Sequence, residues 1–319
     1  MVSRDVSKKA LLYSDPCFLN HETGRHPECA DRLRAIVNQF QASGLAERFD
    51  TGPIRTATVE EISRIHEPDY IRQVEVWSSA GGGQVEADTI MSANSSDVAR
   101  KAAGTAIDAV EQVVAGHYRR ALCLIRPPGH HALAGAPMGF CLFNNVAVAA
   151  RHAVECLGLA RVLIVDWDVH HGNGTQDVFY SDGRVHFFSA HRAPFYPGTG
   201  AVEETGTGPG LGAIFNLPLR FGISRHEFIE RFRTMLERAV ARARPELILI
   251  SAGFDAHRAD PVGSLGLESE DFITLTRLVA GCAEEFCGGK IVSLLEGGYN
   301  LHALAESVQA HAEELLATA

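Results

Sequence analysis

Two kinds of apolar pattern alternate along the chain. Short, mainly apolar runs occur at residues 10–13, 121–125, 162–165, 185–188, 247–250 and 291–295. Runs of this length, rich in Val, Ile and Leu, predict strands buried on both faces, as in a parallel sheet. Between them, residues 30–41, 96–115, 144–156, 225–243, 270–286 and 301–316 repeat apolar side chains at helical spacing. Strands alternating with helices predict an α/β fold with a mostly parallel central sheet between two helical layers, as one domain over residues 1–319. Ser224, three residues before Glu227, offers a capping box at the start of one helix, and Pro245 marks its passage into the next strand. The glycine-rich pieces 81–83 and 198–212 lack the strand-to-helix setting of a phosphate-binding loop and read as surface loops.

The run at 162–165 discharges into Asp166-Trp167-Asp168-Val169-His170-His171-Gly172-Asn173-Gly174. Side chains alternate along an extended chain, so Asp166, Asp168 and His170 project to one side while Trp167 and Val169 project to the other. A lone Asp-x-His is usually an ordinary polar strand end, but two other runs also end in chemistry-bearing residues. Arg126-Pro127-Pro128-Gly129-His130-His131 follows one, and Ser251-Ala252-Gly253-Phe254-Asp255 follows another. Sites in open α/β sheets form at the carboxyl ends of strands, where all three clusters would meet.

Asp168, His170 and Asp255 supply one nitrogen and two oxygen ligands, leaving room for water and a substrate carbonyl. Zinc is the first choice of ion, and Fe(II), Co(II) or Mn(II) also suit such donors. His130 and His131 are adjacent and cannot easily chelate one ion together, so they read as groups for proton transfer and hydrogen bonding. In Glu296-Gly297-Gly298-Tyr299-Asn300 the glycines permit a sharp turn that aims the Tyr299 phenol back over the site, where it could bind a developing oxyanion.

Charge and cysteine content narrow the setting. A formal net charge of −10 excludes a generic nucleic-acid-binding surface and slightly favours cationic substrates. Seven cysteines without a Cys-x-x-Cys pair predict a reducing, cytoplasmic compartment. Residues 1–9 are charged and lack an apolar signal core, and no stretch is apolar for the ~20 residues of a membrane span. A soluble protein is expected, without membrane or direct nucleic-acid partners.

Together the motifs resemble the histone deacetylase and acetylpolyamine amidohydrolase family of the arginase-like superfamily, most nearly its class II members. The resemblance runs from His26-Pro27-Glu28 and Asp31-Arg32-Leu33 through RPPGHHA (126–132), GFCLFNN (139–145), DWDVHHGNGT (166–175) and SAGFDAH (251–257) to EGGYN (296–300). It implies that Asp168, His170 and Asp255 ligate zinc, that His130 and His131 handle protons, and that Tyr299 polarises an amide carbonyl. Asp166 is then expected behind His130 and Asn173 behind His131; the asparagine, where many class I members carry Asp, is the reason for the class II reading.

Phe140 and Tyr196 are implied as the walls of an acyl-lysine tunnel completed by Gly139, Gly297 and Gly298. One structural potassium ion is implied on the main chain of Asp166, Asp168, His170, Ser189 and Ala190, and a second at Phe179, Asp182 and Val185. Val262 stands at a rim position where some polyamine-selective relatives carry glutamate, and Ser95 or Ser96 is expected on the rim loop that holds a substrate amide. The implied activity is removal of acetyl or longer acyl groups from lysine side chains in peptides or proteins. The alternatives are deacetylation of a small acetylated amine, a catalytically silent ligand-binding module, and a binuclear ureohydrolase. Short loops imply no large lid, and a homo-oligomer could still wall off the mouth.

Overall fold

The computed structural model describes residues 10–319; the charged segment 1–9 lies outside the described residues. In chain order the elements are β1 (Leu11–Tyr13), α1 (Asp31–Ser43), β2 (Asp50–Thr51), α2 (Val59–Ser63), α3 (Pro68–Ser79), β3 (Gly82–Gln84), β4 (Ile90–Ser92), α4 (Ser95–Val114), β5 (Arg120–Cys123), α5 (Asn145–Glu155), β6 (Val162–Asp166), α6 (Asn173–Phe179), β7 (Val185–Arg192), β8 (Ile214–Leu219), α7 (Arg225–Ala243), β9 (Leu247–Ala252), α8 (Ser269–Cys287), β10 (Ile291–Leu295) and α9 (Leu301–Ala317).

Eight strands form one sheet in the order β2-β1-β5-β10-β9-β6-β7-β8, and every pairing is parallel. All carboxyl ends therefore emerge at one edge. Helices α4 and α5 pack on each other and on the strands from β5 to β6, while α7, α8, α9 and α1 pack side by side, with α7 on β6, β7 and β8 and α8 on β9. Strands β5, β6, β9 and β10 are buried at every position, because both faces are covered. No helix among the described residues is long and apolar enough to cross a membrane.

Each predicted strand and helix exists, with boundaries displaced by a few residues. The pattern missed β8, whose sequence Ile214-Phe215-Asn216-Leu217-Pro218-Leu219 carries a proline. A proline argues against a central strand, and β8 is the sheet edge, where a missing N–H is tolerated. Gly82 and Gly83 are not in a loop: they pair antiparallel with Ser92 and Met91 in the β3–β4 hairpin. The capping box at Ser224 is half formed. Ser224 Oγ accepts from Glu227 N at 3.2 Å, but the Glu227 carboxylate faces Arg231 at 3.9 Å instead of reaching back. Reciprocal boxes form instead at Thr58/Glu61 and at Glu268/Asp271.

Candidate metal centre and catalytic site

Neighbouring strands bring together the three side chains expected to ligate a metal. β6 and β9 pair with Asp166 opposite Ser251, so the segments that follow them run side by side. Trp167 and Val169 turn into the core, while Asp168 and His170 turn toward Asp255. One potential ligand atom from each of these three buried residues lies within 4.8 Å of the others. His170 Nδ1 is 2.9 Å from Asp168 Oδ1 and 3.2 Å from Asp255 Oδ2, yet Asp255 Oδ2 is buried without a hydrogen-bond partner.

Leaving a buried carboxylate oxygen unsatisfied costs roughly 1–3 kcal/mol, more when it is charged. Burial and the neighbouring Asp168 push the Asp255 carboxyl up to about 7. Burial opposes ionisation of Asp168 too, but His130 and His170 hold that carboxyl well below the usual range. Two buried carboxylates and an imidazole aimed at one point, one oxygen otherwise orphaned, fit a divalent cation with borderline preference for N and O donors. Gly297 is required by close approach. A Cβ there would run into both aspartates, whereas the bare backbone lets Gly297 N–H donate to Asp168 Oδ2 at 2.9 Å.

The loop after β5 carries His130 and His131, and Glu296 fixes it. Glu296 Oε2 accepts from Gly129 N at 2.7 Å and His130 N at 3.2 Å, while Ser251 Oγ donates to Oε1 at 3.1 Å. His130 Nδ1 donates to Asp166 Oδ2 at 2.9 Å, and His131 Nδ1 donates to Asn173 Oδ1 at 2.7 Å. Although their ring centres are only 4.0 Å apart, the two imidazoles have opposite protonation tendencies. Burial would depress His130, but Asp166 and Asp168 outweigh it and push it up to about 10. Burial, His130 and His170 together hold His131 well below the usual histidine range. These surroundings favour the protonated form of His130 and the neutral form of His131, whose Nε2 lone pair is then free for the site.

Tyr299 reaches the site on the turn after β10. Its N–H donates to Asp260 Oδ2 at 2.6 Å, its ring meets Phe140 edge-on at 5.7 Å, and the Arg32 guanidinium lies 5.0 Å from the ring centre. Burial, helped by Asp255 and Asp168 and opposed by Arg32, holds the phenol well above its ordinary pKa, so it stays a donor. Tyr196 is edge-on to His131 at 5.2 Å and to His170 at 6.0 Å. Phe140 has φ +70, and Gly139 before it backs onto the His131 ring with no room for a Cβ. Aromatic side chains therefore stand beside His131 and Tyr299, and Gly298 carries the turn between them with φ +123.

The remaining expected positions are ordered by the same strands. Asp166 and Ser189 are partners across β6 and β7, with Ala190 next along β7. Phe179 ends α6, Val185 begins β7, and the Asp182 carboxylate between them is held by Arg151 at 2.6 Å and Arg184 at 2.8 Å. Ser95 and Ser96 are not on the rim. Both are buried at the start of α4, where Ser95 Oγ is 2.7 Å from His21 Nδ1 and accepts from Ser92 N. The acidic pair Glu86 and Asp88, between β3 and β4, lies near Tyr196 and acts on its phenol; Glu86 Oε2 accepts from Asp88 N at 3.2 Å and Asp88 Oδ1 from Thr89 Oγ1 at 3.1 Å. They can accept a peptide N–H.

Sequence reasoning assigned no role to Glu296, Arg32 or Glu28. Arg32 is fully buried; it donates through Nε to Gly298 O at 2.6 Å, through Nη2 to Glu296 O, and through Nη1 to Glu28 at 3.2 Å. Arg126 also grips Glu28, so a buried two-arginine cluster braces the turn that carries Tyr299. The signal was Glu28, Arg32 and Arg126 within quoted motifs, but a charged residue on an amphipathic helix normally reads as solvent-facing.

A triad of nitrogen and oxygen ligands beside a neutral imidazole and a protonated phenol is the equipment of a metal-dependent hydrolase. Residues 26–315 match the family described as the histone deacetylase domain, and the chain belongs to that family as a deacetylase hydrolase. Histone deacetylase 14, chloroplastic, of Arabidopsis thaliana is 38% identical over 322 residues, covering 96% of this chain and 76% of that protein. The histone deacetylase-like amidohydrolase of Pseudomonas aeruginosa is 37% identical over 276 residues, covering 86% and 73%. The human polyamine deacetylase HDAC10 is 37% identical over 323 residues, covering 96% of this chain and 48% of that protein. The crystal structure of the HDA15 HD domain superposes with a TM-score of 0.92 at 36% identity, covering 98% of this chain and 89% of that one.

Proposed function

We propose that the protein is a zinc-dependent deacylase of acyl-lysine side chains, with Asp168, His170 and Asp255 as metal ligands. The observation that carries this reading is the buried cluster of Asp168, His170 and Asp255 with its orphaned Asp255 oxygen, set beside His130 on Asp166 and His131 on Asn173. Bound zinc would supply Lewis acidity toward the attacking water and the substrate carbonyl, and Fe(II) or Co(II) suits the same donors. His131 Nε2 takes the proton of the attacking water and later delivers it to the leaving amine. The His130 cation, anchored by Asp166, stabilises developing negative charge, and Tyr299 O–H donates to the oxyanion.

Phe140 and Tyr196 grip the methylenes of the lysine side chain, and Gly139, Gly297 and Gly298 let the backbone approach it. Potassium on the main chain of Asp166, Asp168, His170, Ser189 and Ala190, and at Phe179, Asp182 and Val185, belongs to the same reading as a structural component. A reducing compartment such as the cytoplasm suits seven free thiols. The half-buried acids Glu86 and Asp88 near Tyr196 favour one second reading, a small cationic acetylated amine; apolar Val262 weighs against it.

Release of amine from a fluorogenic acetyl-lysine peptide and from an acetylated polyamine, before and after chelation and zinc replacement, separates the two. Chelator-sensitive turnover of the peptide, absent in Asp168→Ala, is the expected result. Turnover of the polyamine alone would transfer the reading to small amines, and turnover unaffected by metal removal would refute the metal mechanism.

A further inference from the structure

Beyond the site, at the carboxyl ends of β7 and β8, lies a groove of about 920 Å³ that the proposed chemistry does not use. It is continuous with the site through Phe195, which lines the groove and stacks its ring on the His170 imidazole at 5.2 Å and 17°. Arg192, the last residue of β7, lies between two phenyl rings, 4.1 Å from the centre of Phe195 and 4.4 Å from that of Phe221. Its Nη1 donates to Gly263 O at 3.1 Å, on the loop that carries Val262, and its Nε is buried without a partner. Phe221 stays 65% exposed, held in place by the cation beneath it.

The charge balance of this groove is opposite to that of the chain. Against a net charge of −10, Arg220 and Arg231 line it and Arg192 underlies it, while Glu227 is the one acidic residue among its lining. Glu227 reaches Arg231 at 3.9 Å, and neither Arg192 nor Arg220 has a carboxylate partner among the described residues. Guanidinium groups bind carboxylates in a fork, and an exposed, immobilised aromatic ring is a suitable anchor for peptide. The acidity of the rest of the chain disfavours an extended nucleic acid, which would be repelled beyond the groove.

We propose that this groove binds the acidic flank of an acyl-lysine peptide, with an Asp or Glu side chain on Arg220 and Arg231 and the peptide chain against Phe221. This rests on the deacylase reading above. β8 lies two strands from β6, roughly 10 Å away at the usual strand spacing, so the acidic residue falls about three residues from the acyl-lysine in an extended peptide.

The test uses the full zinc-loaded chain and acetyl-lysine peptides carrying Glu, Gln or Lys three and four residues to either side, with a minimal acetyl-lysine dye conjugate as reference. The Glu peptides are expected to exceed the Gln peptides by about five- to tenfold in kcat/KM, through KM, with the advantage shrinking in high salt. Arg220→Glu and Arg231→Glu should remove the advantage and shift preference to the Lys peptides. Equal values for Glu and Gln peptides, with the dye conjugate turned over, would overturn the proposal. So would a preference that survives both charge reversals, or a single-stranded oligonucleotide that displaces the Glu peptide at the peptide's own concentration. If neither dye nor peptides are turned over, the deacylase reading fails instead, and anisotropy of a labelled Glu peptide still decides the groove. Binding about tenfold weaker in Arg220→Glu supports it, and unchanged binding overturns it.

Discussion

β10 borders two buried polar clusters of opposite character. In mid-strand, Ser293 meets His311, whose Nε2 accepts from the serine hydroxyl at 2.8 Å while Nδ1 donates to Thr276 Oγ1 at 2.6 Å; Thr276 passes its own proton to Phe272 O. Burial pushes His311 down to about 3, so the cluster is neutral with every polar atom engaged. Three residues further, Glu296 opens the other cluster, which holds Asp166, Asp168 and Asp255, His130 with its protonated form favoured, and an orphaned oxygen. Both regions are equally removed from water, so burial does not distinguish them. The difference is residual charge and incomplete satisfaction, which a bound cation can relieve.

The largest test of this contrast is Asp255→Asn. Without a full ligand set, kcat/KM should fall by about 10³-fold or more, since the barrier loses several kcal/mol of metal assistance. In chelated protein at pH 8 the same change should raise stability by roughly 1–3 kcal/mol, because it removes a buried like charge. Thermal unfolding with and without zinc checks both halves: zinc should stabilise the wild type and not the variant. A chelated variant less stable than the wild type would mean that the cluster is not charge-strained.

Tyr299→Phe comes next. It should lower kcat by about 10²–10³-fold, the usual loss of one oxyanion donor, and leave zinc affinity unchanged. Equal loss of zinc binding would move Tyr299 from substrate contact to support of the ligands.

The sequence made the two regions unequally legible. The site could be read because its residues follow apolar runs directly: once 162–165 and 247–250 are strands, Asp168, His170 and Asp255 have nowhere to go but one sheet edge. Its support was harder to read. Arg32 sits on α1 at a position that a solvent face would also occupy, and Glu296 looks like the first residue of a turn, although it holds the His130 loop by two amides. Ser95 was misplaced because a serine before a helix reads as exposed, whereas His21 draws it inward. His311 was invisible, since nothing local says that Thr276 and Ser293 face it across three elements. β8 was hidden by Pro218, and the acids Glu86 and Asp88 by the brevity of β3 and β4.

The pH dependence of stability separates the clusters more gently. His311 has a folded pKa near 3 against about 6.5 unfolded, so its contribution is full above pH 6.5 and is lost as the unfolded state takes up a proton on the way down toward pH 3. Between pH 6.5 and 4.5 this amounts to about 2–3 kcal/mol, at 1.36 kcal/mol per unit. His311→Gln is polar but does not titrate, so the wild type should lose that much more stability than the variant across this window, as followed by denaturant unfolding at each pH. Parallel curves would mean that His311 is charged in the fold and that the neutral cluster does not exist.

The smallest effect probes satisfaction alone. Ser293→Ala removes the hydroxyl that donates to His311 Nε2 and leaves that nitrogen buried without a partner, which should cost about 1–2 kcal/mol of stability. Activity should be unchanged, because Ser293 lies within β10 and the turn that carries Tyr299 begins after the strand ends, braced separately by Arg32 on Gly298 and Glu296. Unfolding and turnover measured on one preparation decide the point. If kcat fell together with stability, strain would be travelling along β10 from the closed cluster to the open one, and the two regions would have to be treated as one network.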